Sequence, residues 1–266
     1  MRFLQGTISY PEQKWGKPEE RAVRNTPLID FVEDLAGVGA DGLELWGHHL
    51  DDLDESDVEA LAQKITETGQ SVEVLGPYWD FASSGEAVEN SLEDARRYLG
   101  LKDVFECRLI RVFVGGVGSA EATGEHWERA LDGLSRLARM YEGSGVTFVV
   151  ETHSNQLPDS PESCLKLMKE LGEGSIRLNY QNMDGPAADE LGRLYEWVSH
   201  CHVSRTQKWQ DRSADVVREL AKRGYDGTVT VEFCTNSLPG EDEEFDRAKA
   251  IEGMKGDIAC LRSAAG

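Results

Sequence analysis

An eightfold alternation limits this chain more than any other feature of its sequence. Short apolar runs recur at residues 3–9, 42–46, 71–75, 109–114, 146–151, 176–180, 198–203 and 228–233. Between them, apolar residues fall every three or four positions, as in Leu28, Phe31, Val32 and Leu35, or Leu131, Leu134, Leu137, Ala138 and Tyr141. That spacing lines one face of a helix, whereas the short runs read as strands. Asp159-Ser160-Pro161-Glu162 marks a helix start, with Ser as N-cap and Pro at the first helical position. Gly37, Gly69, Gly145 and Gly224 close helices just before strands. Strands joined by helices run parallel, and parallel sheets are covered on both faces, which is why the runs are mostly apolar throughout. Eight such β-then-α units in 266 residues predict a single α/β domain over 1–266, a closed (β/α)8 barrel. An open doubly wound sheet has the same local signature and stands as the alternative. No Pro-rich or Ser-rich linker divides the chain.

Charge narrows the partners. Asp and Glu number 49 against 28 Lys and Arg, a net charge of -21 spread along the chain. Such a surface repels phosphate backbones and anionic bilayers, which excludes non-specific nucleic-acid binding and membrane docking. The basic residues are 18 Arg and 10 Lys, and an acidic, Lys-poor surface fits a halophilic protein, since high salt screens its self-repulsion. The five Cys, at 107, 164, 201, 234 and 260, form no C-x-x-C pair. They read as reduced thiols of a cytoplasmic protein. No apolar stretch has the length of a signal peptide or a membrane span.

In such a barrel the chemistry sits at the C-terminal ends of the strands. The fifth run ends Glu151-Thr152-His153, with Glu151 and His153 on one side of the strand. The sixth ends Asn179-Tyr180-Gln181-Asn182, the seventh holds His200-Cys201-His202 and is followed by Arg205 and Lys208, and the eighth carries Glu232. The second adds Glu44 and Trp46, then His48 and His49, and the third is followed by Tyr78 and Trp79. Glu44 either lines the pocket or pairs locally, and the aromatic residues either pack the mouth or face substrate. Glu151, His202 and Glu232 are harder to explain as packing. Three ionisable groups on nearby buried strands each need compensation, and one shared cation compensates all of them. Gly115-Gly116-Val117-Gly118 does not complete a dinucleotide-binding fingerprint and reads as a barrel loop.

At these residues the chain resembles the xylose-isomerase-like TIM-barrel family of sugar isomerases and epimerases, which also contains inosose dehydratases and, more distantly, endonuclease-IV-type repair enzymes. The resemblance rests on Asp41-Gly42-Leu43-Glu44-Leu45-Trp46, on Val149-Val150-Glu151-Thr152-His153, on His200-Cys201-His202, and on the closing Tyr225-Asp226-Gly227 strand that ends in Glu232. It implies one divalent ion, Mn²⁺ or Mg²⁺, held by Glu151, a sixth-strand residue, His202 and Glu232. In the sixth strand Gln181 aligns with the usual Asp, with Asn179 as the other register, and Asn182 stands near a position often held by His or Asn. An amide offers a hard oxygen but no charge, so the ion is held less tightly.

The resemblance further implies an isomerase or epimerase working by proton abstraction α to a carbonyl through an enediolate, with Glu151 and Glu232 as acid and base. Glu44, Trp46, His153, Asn182, Arg205 and Lys208 are the expected substrate contacts. The expected partner is a small sugar or sugar derivative. Short loops at 46–50 and 78–81, or the partner subunit of a homo-oligomer, select it. An inosose-dehydratase-like lyase and a non-catalytic sugar-binding barrel are the alternatives. The repair-enzyme chemistry needs many more His ligands than the six here.

Overall fold

The computed structural model describes residues 1–9, 27–181, 183–206, 209–236 and 246–266. Its strands are β1 (Arg2–Gly6), β2 (Leu43–Trp46), β3 (Val72–Gly76), β4 (Leu109–Val112), β5 (Thr147–Glu151), β6 (Ile176–Gln181), β7 (Val198–Ser204) and β8 (Thr228–Phe233). The helices among the described residues are α1 (Val32–Ala36), α2 (Glu55–Glu67), α3 (Gly85–Val104), α4 (Gly124–Met140), α5 (Pro161–Leu171), α6 (Ala187–Leu194), α7 (Gln210–Lys222) and α8 (Arg247–Ala265). The strand order β1 to β8 closes on itself, so the fold is the expected (β/α)8 barrel and not the open sheet. No helix among the described residues is long and apolar enough to cross a membrane.

The elements form for the reasons their sequences suggest. Along α4 the buried positions are Trp127, Ala130, Gly133, Leu134 and Leu137, a stripe at helical spacing that turns one face inward. At the start of α5, Ser160 Oγ accepts the Ser163 N–H and Pro161 occupies the first turn, as read from the sequence. Strand residues such as Leu4, Ile110, Phe148, Val150, Leu178 and Val231 are fully buried.

The chain gathers into two compact units, Met1–Glu73 with His202–Gly266, and Val74–Cys201. In the first unit β1 pairs with β8 from Arg2↔Thr228 to Gln5↔Val231 and with β2 through Gly6↔Glu44, all parallel. A buried ionic knot ties its C-terminal helix to the strand ends. Asp257 on α8 accepts Arg205 Nε at 3.2 Å, the Thr235 N–H at 2.6 Å and the Thr235 hydroxyl at 2.9 Å. Gly253 lets the helix approach closely, since an added Cβ would run into the Thr235 carbonyl.

In the second unit β4 pairs with β3 and β5, and β5 pairs with β6 in a register that sets Glu151 opposite Asn179.

Strand ends differ from expectation where side chains capture backbone groups. β1 stops at Gly6 and residues Thr7–Ser9 form a 3-10 turn; the Thr7 hydroxyl accepts the Trp46 N–H at 2.9 Å. β4 stops at Val112 because Gln156 Oε1 accepts the Val114 and Gly115 N–H groups, at 3.0 and 2.7 Å, in place of a ladder partner. Gly115 follows with φ 137° and no room for a Cβ beside Asp80 and Ala82. β6 and β7 each run one residue beyond the expected end.

All five Cys are free thiols and four are buried. Burial pushes Cys164 and Cys201 up and Cys234 up to about 12, so these thiols stay protonated and inert.

Candidate active site

In the first unit His202 is the central group. Its Nε2 lies 2.9 and 3.0 Å from the two oxygens of Glu44, and its Nδ1 lies 4.0 Å from Glu232 Oε1. His202 and Glu44 are buried, whereas Glu232 is half-buried. A carboxylate on one imidazole nitrogen fixes the ring's tautomer and orientation and directs the other nitrogen to a ligand. Glu44, expected beside substrate, is therefore placed on His202. The Glu232 backbone is tied down as well, its carbonyl accepting the Ser9 hydroxyl.

Arg205 has several protein partners in the same unit. Besides Asp257, its guanidinium donates to the Gln210 carbonyl and contacts Cys260 Sγ. These bonds brace the end of β7. Trp46 is buried and packs edge-on against His48 and His49, with ring centroids 4.7 and 5.1 Å apart. His48 pairs with Asp51 at 2.6 Å.

His49 Nδ1 lies 3.0 Å from the Thr7 hydroxyl, and its ring is enclosed by Phe31 and Trp46. Burial, helped by His48 and opposed by Asp51, pushes its pKa from 6.5 to about 3. The unfolded chain protonates this imidazole near 6.5 and the folded chain does not. His49 therefore costs stability as pH falls from about 6.5 towards 3, by up to about 1.4 kcal/mol per pH unit. Denaturant unfolding of H49L between pH 7 and 4 should give a flatter stability curve than the parent; parallel curves contradict the assignment.

In the second unit Glu151 closes β5, almost fully buried. Arg111 Nε lies 3.4 Å from Glu151 Oε2, and Asn179 Nδ2 donates to the same oxygen at 3.5 Å. Arg111 was not singled out from sequence, although a charge between Ile110 and Val112 in an apolar strand is a signal. Asn179 stands level with Glu151 in the ladder, and Gln181 lies two residues further on, its backbone bonded to Thr152. Two amide oxygens on this strand, Asn179 Oδ1 and Gln181 Oε1, are buried with no donor among the described residues. His153 is half-buried, its Nδ1 2.6 Å from the Ser154 carbonyl oxygen and its ring edge-on to Phe113. Trp79 donates to Asp94 and packs on Tyr98, a packing role, while Tyr78 is 41% exposed. Asn182 and Lys208 lie outside the described residues.

The model of the family described as xylose isomerase-like TIM barrel matches residues 32–263. The chain belongs to this family. One relative of this xylose isomerase-like chain is a 3-dehydroshikimate dehydratase of Bacillus anthracis, 23% identical over 210 residues, covering 76% of the chain and 71% of the relative. Among solved structures, a D-psicose 3-epimerase crystallised with D-fructose superposes with a TM-score of 0.80 at 15% identity, over 100% of both chains. A probable 3-dehydroshikimate dehydratase involved in petrobactin synthesis in Bacillus anthracis gives 0.72 at 19% identity, over 98% of this xylose isomerase-like chain and 99% of the other. At these identities the superpositions speak to the fold that the two proteins share with it.

Proposed function

We propose that this barrel is a metal-dependent sugar isomerase or epimerase that moves a proton α to a carbonyl, with Glu151 and Glu232 as the acid–base pair. The observation that carries this reading is the set of buried or half-buried ionisable side chains at the C-terminal ends of β2, β5, β7 and β8, the rim where such barrels do chemistry. The metal fits these residues. The proposed ligands are Glu151 of the second unit and His202 and Glu232 of the first, two carboxylates and an imidazole, donor types that a divalent ion takes. Asn179 Oδ1 and Gln181 Oε1 are hard oxygens buried without a donor among the described residues, which suits Mn²⁺ or Mg²⁺. The level of Asn179 beside Glu151 favours it over Gln181 as the sixth-strand ligand. The pairing of His202 Nε2 with Glu44 makes Glu44 the orienter of that imidazole.

A divalent ion bound there stabilises negative charge developing on substrate oxygen. Glu151 and Glu232 take and return the proton: return to the opposite face inverts a centre, and return to the neighbouring carbon isomerises. Positioned acid–base groups contribute about 10²–10⁴ in rate. His153 and Trp46, with Asn182 and Lys208, are the proposed substrate contacts. The acidic surface suits a small-molecule substrate in a salt-rich cytoplasm.

The dehydratase relative supports a second reading. The same two carboxylates can remove an α-proton and protonate a departing β-hydroxyl. Incubation of the Mn²⁺-loaded protein with a panel of ketoses and keto-polyols in D₂O separates the two. Deuterium gained without loss of water supports the isomerase or epimerase, loss of water supports the lyase, and neither on any member contradicts both.

A further inference from the structure

Arg111 is almost fully buried, yet it lies on β4 where the neighbouring residues are apolar. Its guanidinium carbon stands 4.7 Å from the Tyr78 ring centroid and 4.2 Å from that of Phe113, and the two rings are 5.4 Å apart. Nη2 donates to the Gly76 carbonyl at 3.3 Å, and Nε faces Glu151 Oε2 at 3.4 Å. A guanidinium is planar and stacks on aromatic faces, so rings that hold its plane also hold the direction of its N–H groups. Burying such a cation is costly unless it is paired, and Glu151 is the carboxylate it faces. The contacts from Arg111 and from Asn179 fall on the same oxygen of Glu151, Oε2.

We infer that Arg111, seated against Tyr78 and Phe113, is a positioning residue that fixes the Glu151 carboxylate for proton transfer and metal binding. The inference rests on the proposed role of Glu151. Tyr78 links the buried cation to solvent, because its ring lies over the guanidinium while 41% of the residue stays exposed. Lys in place of Arg keeps the charge and loses both the plane and the fork. Misplacing a reacting group by about 1 Å can cost roughly 10² in rate, and removing a partner that orients a metal ligand costs about 10–100-fold in affinity or activity.

The test compares the parent with R111K, Y78L and E151Q, each checked for folding by circular dichroism. Mn²⁺ affinity is read by electron paramagnetic resonance, and kcat and KM on whichever substrate exchanges deuterium. R111K is expected to bind Mn²⁺ about 10–100-fold more weakly and to lose kcat by a similar factor with KM unchanged. Y78L should shift both in the same direction. A purely structural Arg111 changes the melting temperature and neither of these. Parent-like Mn²⁺ affinity and kcat in R111K, with E151Q impaired, overturns this inference alone. If R111K does not fold, Y78L with parent-like values overturns it. Parent-like values in E151Q overturn the role of Glu151 itself, and the inference with it.

Discussion

Glu151→Gln should lower the rate of α-proton exchange by about 10²–10⁴-fold. The substitution keeps the shape of the side chain and removes both its basicity and its negative charge. It also leaves Arg111 buried beside a neutral amide. Breaking a buried pair costs about 3–5 kcal/mol, so E151Q should melt lower than the parent as well as react more slowly. Glu232→Gln separates the two effects. Glu232 is half-buried at the end of β8, more open than Glu151, and stands 4.0 Å from His202 Nδ1. E232Q should lose exchange on the same scale with a smaller change in melting. Exchange at the parent rate in both variants removes them from the chemistry.

The second large effect lies away from the reacting groups. Asp257→Ala should destabilise the chain by about 3–5 kcal/mol, because the buried Arg205 loses its carboxylate and the half-buried Thr235 amide loses its acceptor. For a domain of this size that corresponds to a melting temperature lower by roughly 6–20 °C. Arg205 follows β7 and Thr235 follows β8, the strands that carry His202 and Glu232. Scanning calorimetry measures the effect, and a loss below about 1 kcal/mol, the scale of a surface ion pair, contradicts the buried-knot account.

The barrel was legible because its physics is local. A strand covered on both faces must be apolar along its length, and a helix against it must be apolar every third or fourth residue. The same rule made Glu151, His202 and Glu232 conspicuous, as charges where an apolar strand tolerates none without a partner. Pairing between distant residues was not legible. Arg205 looked available for substrate because nothing near it in sequence announces Asp257, half a helix into α8. Glu44 gave no sign that it would face His202 across the fold's first unit. The end of β4 depends on a side-chain carbonyl from Gln156, which no strand propensity encodes. Arg111 did leave a local trace, a lone charge in an apolar strand, whose meaning appears only once Glu151 and the two aromatic rings are seen beside it. The sixth strand shows the limit of alignment by residue type: Gln181 resembles the expected ligand position, while the β5–β6 register sets Asn179 level with Glu151.

The central claim is that the carboxylates and imidazole at these strand ends hold one divalent ion. The most direct measurement is a crystal structure of the Mn²⁺-loaded protein with anomalous scattering recorded at the manganese edge. The account predicts a single peak bound by Glu151, His202, Glu232 and an amide oxygen from β6, each at about 2.0–2.3 Å. A protein that takes up no Mn²⁺ in the crystal, or binds it away from these residues, contradicts it.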